Sequence, residues 1–328
     1  MFRYNGRWRR VAAAAMLTLT ATLTACGGDD STETSTTDGA EAAAGDFPRT
    51  ITHHKGETEI ESQPERVVAL DNSLVEAVVA LERPLVGGIS SYRDLTGFPE
   101  YLGDAVADTE EVGPLESPDL EAIALLEPDL IVSASVRHDA LYDELSAIAP
   151  TVFVETTGPT WKDNIRLLAE ALGTEDLADE VLTEYETRAA ELGAAINEAA
   201  GDPTVSMVRF LDGPTRLYAN ASFSGIVFQD MGLARPAPQD VDEFAVEIGE
   251  EEIRQADGDH IFVTMFSGGE ESEERFLRNP LWGQLAGVQA GNVHEVADEI
   301  WMTSVSVQGA HMMMDDMAEI FDVDPMTG

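Results

Sequence analysis

The feature that most limits how this chain can fold is an internal repeat. Glu121, Ile123, Pro128-Asp129 and Ile131 recur as Glu251, Ile253, Gly258-Asp259 and Ile261, at a constant offset of 130 residues. Each copy reads as a helix, a helix breaker, an aspartate and a buried strand. A glutamate sits in the early turns of each helix, where a carboxylate gains from the helix dipole. A chain carrying this unit twice is expected to build two related halves. In both halves, short apolar runs alternate with helical segments, the order that gives a mainly parallel sheet covered by helices.

In the first half, strands are predicted at residues 67–70, 85–89, 130–133 and 151–154. Helices are predicted from Ser73 to about Leu81, from Ser117-Pro118 to Pro128, and over residues 138–148. Ser73 and Glu76 have the spacing of a capping box, and Ser117-Pro118 reads as a capping serine with proline in the first turn. Residues 161–200 are helical in pattern with a break near Gly173-Thr174. Within them Leu177, Val181, Tyr185, Ala189, Leu192 and Ile196 form one apolar stripe. After Gly201-Asp202-Pro203 the second half begins. Its predicted strands are 205–211, 216–219, 260–265 and 292–297, and its predicted helices are 223–231, 250–256 and 303–321. Met312, Met313 and Met314 in the last helix read as core filling. The expected fold is α/β: two lobes with mainly parallel sheets, joined by one long α-helix.

The N-terminus carries a different signal. Arg3, Arg7, Arg9 and Arg10 precede an apolar stretch over residues 11–21, too short to anchor in a bilayer. Leu23-Thr24-Ala25-Cys26 then ends in the only cysteine of the chain. This order reads as a lipoprotein signal, cut before Cys26, with lipid on the thiol. Residues 27–47 lack large apolar side chains almost throughout, so they read as a disordered tether. With Cys26 acylated, no thiol is left for a disulfide, a zinc site or a nucleophile. The chain thus divides into a signal peptide (1–25), a lipidated tether (26–47), an N-terminal lobe (48–160), a linking helical segment (161–202) and a C-terminal lobe (203–328).

The formal net charge of -43 argues against a nucleic-acid partner, which the whole surface would repel. Lys55 and Lys162 are the only lysines. The remaining cations are arginines, whose planar fork suits oxyanions. The six histidines show no metal-ligand spacing. No His-Glu-x-x-His stretch or phosphate-binding glycine loop with lysine occurs. Ser224-Gly225 lacks the glycine of a nucleophile elbow, since position 222 is serine. An enzyme is therefore not expected, a hydrolase using Ser224 being the remote alternative.

An ordered series of motifs adds to this reading. It runs Pro64-Glu65-Arg66-Val67-Val68, Val112-Gly113, Pro118-Asp119-Leu120-Glu121-Ala122-Ile123, Leu126-Glu127-Pro128-Asp129-Leu130-Ile131 and Ala149-Pro150-Thr151-Val152. In the second half it continues with Ser222-Phe223-Ser224-Gly225, Met231-Gly232-Leu233, Asn279-Pro280-Leu281-Trp282 and Val288-Gln289-Ala290-Gly291-Asn292-Val293. Behind a lipidation signal, the series resembles the solute-binding proteins of ABC importers, in the class with a single rigid connecting helix that carries ferric siderophores, haem and cobalamin. Arg216-Leu217-Tyr218 with the serine motif after it looks most like the iron-siderophore branch.

The resemblance implies a ligand cleft between the lobes, small opening motions and a lipid-anchored protein on the outer face of the cytoplasmic membrane. It implies delivery of a ferric siderophore to a permease dimer with its ATPase. Iron stays with the chelator, so no cofactor or protein metal ligand is expected. Glu121 and Glu251, the latter flanked by Glu250 and Glu252, become the carboxylates that pair with permease arginines. Ligands of open α/β sheets lie beyond the carboxyl ends of the strands. Arg93, Arg137, Arg209, Arg216, Tyr218 and Trp301 are the expected ligand contacts. The same class leaves haem, with His138 and Tyr218 as axial candidates, and cobalamin as alternatives.

Overall fold

The computed structural model describes residues 46–90, 92 and 96–327. The signal peptide, Cys26, nearly all of the tether and Arg93 lie outside the described residues. The first lobe opens with an antiparallel hairpin, β1 (Arg49–His53) and β2 (Gly56–Ile60). Then follow β3 (Val67–Ala69), α1 (Asn72–Ala80), β4 (Leu85–Gly88), β5 (Glu110–Glu111), α2 (Leu120–Leu125) and β6 (Leu130–Ala134). The lobe closes with α3 (Ser135–His138), α4 (Tyr142–Ser146) and β7 (Thr151–Val154). Its sheet has the order β5-β4-β3-β6-β7, parallel throughout.

Two helices follow, α5 (Trp161–Leu172) and α6 (Glu175–Ala200). Each ends at a glycine in the left-handed region, Gly173 at φ 69° and Gly201 at φ 76°. Glycine takes that conformation without the Cβ clash that other residues meet. With 26 residues, α6 is about 39 Å long.

The second lobe contains β8 (Val205–Phe210), β9 (Thr215–Tyr218), α7 (Phe223–Asp230), β10 (Ala245–Ile248), β11 (His260–Met265), α8 (Glu270–Arg278), α9 (Ala286–Ala290), β12 (Val293–Glu295) and α10 (Val307–Phe321). Its sheet runs β10-β9-β8-β11-β12. Strands β8, β11 and β12 are parallel, whereas β9 runs antiparallel to both of its neighbours.

The repeat has one structural meaning in both lobes. Asp129, just before β6, accepts hydrogen bonds from the backbone N–H groups of Glu65 and Arg66, each at 2.8 Å. Asp259, just before β11, accepts from Thr204 N at 2.8 Å and Thr204 Oγ1 at 2.7 Å. Each aspartate therefore fixes the entry into the neighbouring parallel strand, β3 or β8, by charge-assisted hydrogen bonds.

Several local expectations change. α1 is capped by Asp71, whose side chain accepts from Ser73 N, and not by Ser73. Glu76 then lies beyond the first turn and serves a different contact, described below. α2 begins only at Leu120, because Asp119 accepts from Glu121 N and Ala122 N. The helix expected over 138–148 divides into α3, a 3-10 turn (Asp139–Leu141) and α4. Residues Glu250–Ala256 form a 3-10 helix, and a turn of π-helix over Glu299–Thr303 delays the start of the last helix to Val307.

The apolar residues sort into three cores. The outer face of the first sheet has its own, with Val68, Ile123, Ile131 and Phe153. The outer face of the second sheet has another, with Val208, Ile253, Ile261 and Phe276. The third is continuous from the inner side of one lobe to the other. It joins Val67, Leu74 and Val152 through Trp161, Leu168, Tyr185 and Leu192 to Met207, Phe228, Met313 and Met317. Close approach is needed where α6 crosses the end of α7: a Cβ on Gly193 would lie 1.7 Å from the Met231 carbonyl oxygen.

Candidate functional site

Between the lobes lies a cleft enclosing about 1250 Å³, open solvent included. It is built from chain that has just left a strand. Asp71 and Asn72 follow β3, Arg137 follows β6 and Thr156-Thr157 follow β7. From the second lobe, Arg209 lies near the end of β8 and Phe266 follows β11. The site therefore occupies the carboxyl edge of both parallel strand sets, where ligand crevices of open α/β sheets form.

Fixed ion pairs hold the arginines. Arg137 Nε donates to Asp71 Oδ2 at 2.9 Å, and Asp71 is 1% exposed. Burial opposes the charge on Arg137, but the Asp71 carboxylate outweighs it and holds the guanidinium above its usual range. Arg209 is bound on two edges by Asp298, with Nε and Nη2 each 2.6 Å from a carboxylate oxygen. It also donates from Nη1 to the Tyr218 hydroxyl at 3.1 Å. Burial again works against the charge, and Asp298 with Tyr218 raises the Arg209 pKa despite it. Arg216 is half-exposed and donates to Glu247 at 3.1 and 2.9 Å.

Aromatic rings connect the two walls. The Arg137 guanidinium stands 5.6 Å from the centre of the Tyr92 ring. Tyr92 meets Phe266 edge-to-face at 5.9 Å across the cleft, and Arg209 lies 4.9 Å from the Phe266 ring. A continuous ladder results: Asp71, Arg137, Tyr92, Phe266, Arg209, Asp298. Tyr218 packs on Phe244 at 5.2 Å, and Phe244 stays 49% exposed at the rim. Each cation is thus oriented on one side by a carboxylate and on the other by a ring face.

Of the residues expected from sequence, Arg137, Arg209, Arg216 and Tyr218 all line this cleft. Trp301 does not. The π-helical turn carries its indole inward onto Phe262 at 4.8 Å and Phe228 at 6.0 Å, fully buried, and its N–H donates to Asp316 at 2.7 Å. The neighbours Met302 and Thr303 reach the cleft instead. His138 cannot serve as an axial haem ligand as it stands, because it is 2% exposed and both ring nitrogens are engaged, with Ser133 Oγ at 2.9 Å and the Leu115 carbonyl at 2.6 Å. Ser224 is fully buried beside the Met302 sulfur. Among the described residues no three or more His, Cys, Asp or Glu side chains converge as a metal site. Glu121 and Glu251 are both exposed, one on each lobe, in the first turns of α2 and of the 3-10 helix Glu250–Ala256.

Sequence reasoning missed Asp71, Tyr92's partner Phe266, Thr156 and Phe244. The first three follow strand ends and could have been found by the rule that located Arg137. Phe244 lies at the entry to β10, a strand that no local signal had marked.

A family model described as periplasmic binding protein matches residues 67–299. The chain belongs to the periplasmic binding protein family. The probable siderophore-binding lipoprotein YfiY of Bacillus subtilis is 33% identical over 312 residues, spanning 91% of this chain and 94% of that protein. The achromobactin-binding periplasmic protein of Dickeya dadantii is 30% identical, spanning 78% and 86%. Among solved structures, Staphylococcus aureus SirA complexed with staphyloferrin B superposes with a TM-score of 0.79 at 28% identity, covering 85% of this chain and all of that one. The bilobed architecture, with its paired α/β sheets and long connecting helices, is that of these binding proteins.

Proposed function

We propose that this protein captures a ferric siderophore between its lobes and delivers it to an ABC-type iron importer. The observation that carries this reading is the cross-cleft ladder, which sets guanidinium groups from both lobes beside an aromatic pair. A ferric siderophore is a bulky, polar complex, commonly anionic, and its iron is already fully ligated. A receptor for it needs fixed cations, ring faces and room, and it needs no metal ligand of its own. The relatives named for a siderophore and for achromobactin support the same ligand class.

On this reading, Cys26 carries the lipid that keeps the receptor on the outer face of the cytoplasmic membrane. Glu121 and Glu251 then pair with arginines of the permease dimer. Two such contacts, one per lobe, fix the orientation of docking as well as its rate.

Tryptophan fluorescence tests the ligand assignment. Trp161 packs on Phe223 at 5.8 Å, and Phe223 lines the cleft. Titration with ferric carboxylate, hydroxamate and catecholate siderophores, haem and cobalamin is expected to give saturable quenching with a ferric siderophore. A response to haem or cobalamin alone would overturn the assignment.

A further inference from the structure

Beside the ladder, α1 of the first lobe meets the chain that leads into α10 of the second. Glu76, 1% exposed, sits at the centre of this contact. Its Oε1 accepts from the Tyr101 hydroxyl at 2.8 Å. Its Oε2 accepts from Ser304 Oγ at 2.7 Å and from Val305 N at 3.2 Å. The Glu76 carbonyl accepts from Gln308 Nε2 at 2.9 Å, and one turn earlier Asn72 Nδ2 donates to the Thr303 carbonyl at 2.7 Å. Met302, Thr303, Val305 and Asn72 all line the ligand cleft. The same carboxylate that joins the lobes thus holds one wall of the site.

We propose that Glu76 is a positioning residue for the ligand: its carboxylate braces residues 302–305 of the cleft wall against α1, and protonation of that carboxylate loosens the wall. The proposal rests on the cleft being the ligand site.

The groups around Glu76 make its charge state sensitive. Burial raises its pKa to about 7, against the hydrogen bonds from Ser304, Tyr101 and Val305, and the nearby Asp71 charge adds to the rise. Asp71, the cap of α1, is itself paired with Arg137. Tyr101 comes from the 3-10 helix Glu100–Val106, and the pKa of its hydroxyl is pushed far upward by burial and by Glu76, so it stays protonated. Glu299, on the π-helical turn, bears on Tyr101. Gln308 is the polar neighbour from α10. The ionised carboxylate receives three donors. A protonated one carries hydrogen on one oxygen, and the donor there must turn or withdraw. The Ser304 and Tyr101 hydroxyls can reverse their roles, whereas the Val305 amide cannot.

The sign separates positioning from stability. The folded pKa of Glu76 lies above its unfolded value of 4.5, so its contribution to stability is present below that value and declines as pH rises through about 7. The brace has the opposite sign. An opening that breaks the Ser304 and Val305 hydrogen bonds while α1 keeps Glu76 buried removes donors that lower its pKa, so ionisation favours the closed wall and the brace tightens over the same rise.

Hydrogen exchange of the segment 302–308 in the ligand-free protein, corrected for intrinsic rates, reads the brace directly. Between about pH 8 and about pH 6 its protection is expected to fall about twofold to fivefold, the part of a coupling of half to one pKa unit that this window spans around a midpoint near 7. The affinity for whichever ferric siderophore quenches the tryptophans should weaken in parallel. Glu76→Gln is expected to flatten both profiles. Tyr101→Phe and Ser304→Ala each remove a hydrogen bond that favours the ionised form, and should move the midpoint upward. These two milder variants decide the matter if Glu76→Gln does not fold. A wild-type profile in Glu76→Gln, or an unmoved midpoint in both milder variants, overturns the proposal. The exchange measurement needs no ligand, so absence of siderophore binding would refute the function without touching the brace.

Discussion

Arg216 and Arg209 face the same cleft but have different tasks. Arg216 pairs with Glu247 at the half-exposed rim, where such pairs contribute about 0–1 kcal/mol to stability. Toward an anionic ligand, a hydrogen bond from a charged donor is worth about 1.5–3 kcal/mol. Arg216→Ala is therefore expected to weaken ferric-siderophore binding about tenfold to a hundredfold while leaving the melting temperature within a degree or two. Arg209→Ala strips the partner from Asp298, whose side chain is only 13% exposed; breaking a fully buried pair costs about 3–5 kcal/mol, so its binding loss will come with a lower melting temperature. Fluorescence titration beside thermal melts checks both. Equal destabilisation by the two variants would show that the rim pair is structural. At this scale the strand-end rule pointed to Arg137, while Arg209, Arg216 and Tyr218 came from the first strand of the second lobe and the turn after it; all four line the cleft. The rule misplaced Trp301 because one π-helical turn redirects the side chain, and nothing in Glu299-Ile300-Trp301-Met302-Thr303 signals such a turn.

At the scale of elements, the strands were the most legible parts. Residues 130–134 and 151–154 are buried along their length, and 260–265 everywhere but at its two ends, so a mainly apolar run marks them well. Helix starts were less legible, because more than one side chain could cap each of them. Asp71 and Asp119 prevailed over Ser73 and Ser117, since an aspartate at that position can accept the free N–H groups of the first turn. The glutamate that completed the supposed capping box turned out to belong to another lobe's contact. Packing between helices was not legible at all. Gly193, inside α6, is where the backbone of Met231 approaches. Gly193→Ala gains helix propensity of about 1 kcal/mol, but it forces apart two helices of the shared core, at a cost of about 1–3 kcal/mol or more. A net loss of stability in urea unfolding is expected, and a neutral or stabilised variant would show that α6 and α7 separate easily.

For the molecule as a whole, the repeat made the two-lobed plan visible before any coordinate. What it could not convey is that the inner core is common to both lobes. That depends on which faces of α1, α5, α6, α7 and α10 meet, and apolar periodicity identifies a buried face without naming its neighbour. The repeat also sets Glu121 and Glu251 at matching places on opposite lobes. Reversing both, Glu121→Lys with Glu251→Lys, is expected to abolish iron uptake in cells while siderophore affinity in solution stays within about twofold of wild type. Undiminished uptake by that variant would remove the two carboxylates from the docking interface.

The undivided inner core has a further bearing on transport. Swinging the halves wide apart would bring Trp161, Tyr185 and their aliphatic neighbours into water, at about 25 cal/mol for every Å² uncovered. We expect such a receptor to keep nearly one silhouette whether loaded or vacant. A transporter that meets it must then tell cargo-bearing copies from idle ones by slight tilts and by how long each stays docked, since gross outline carries no message.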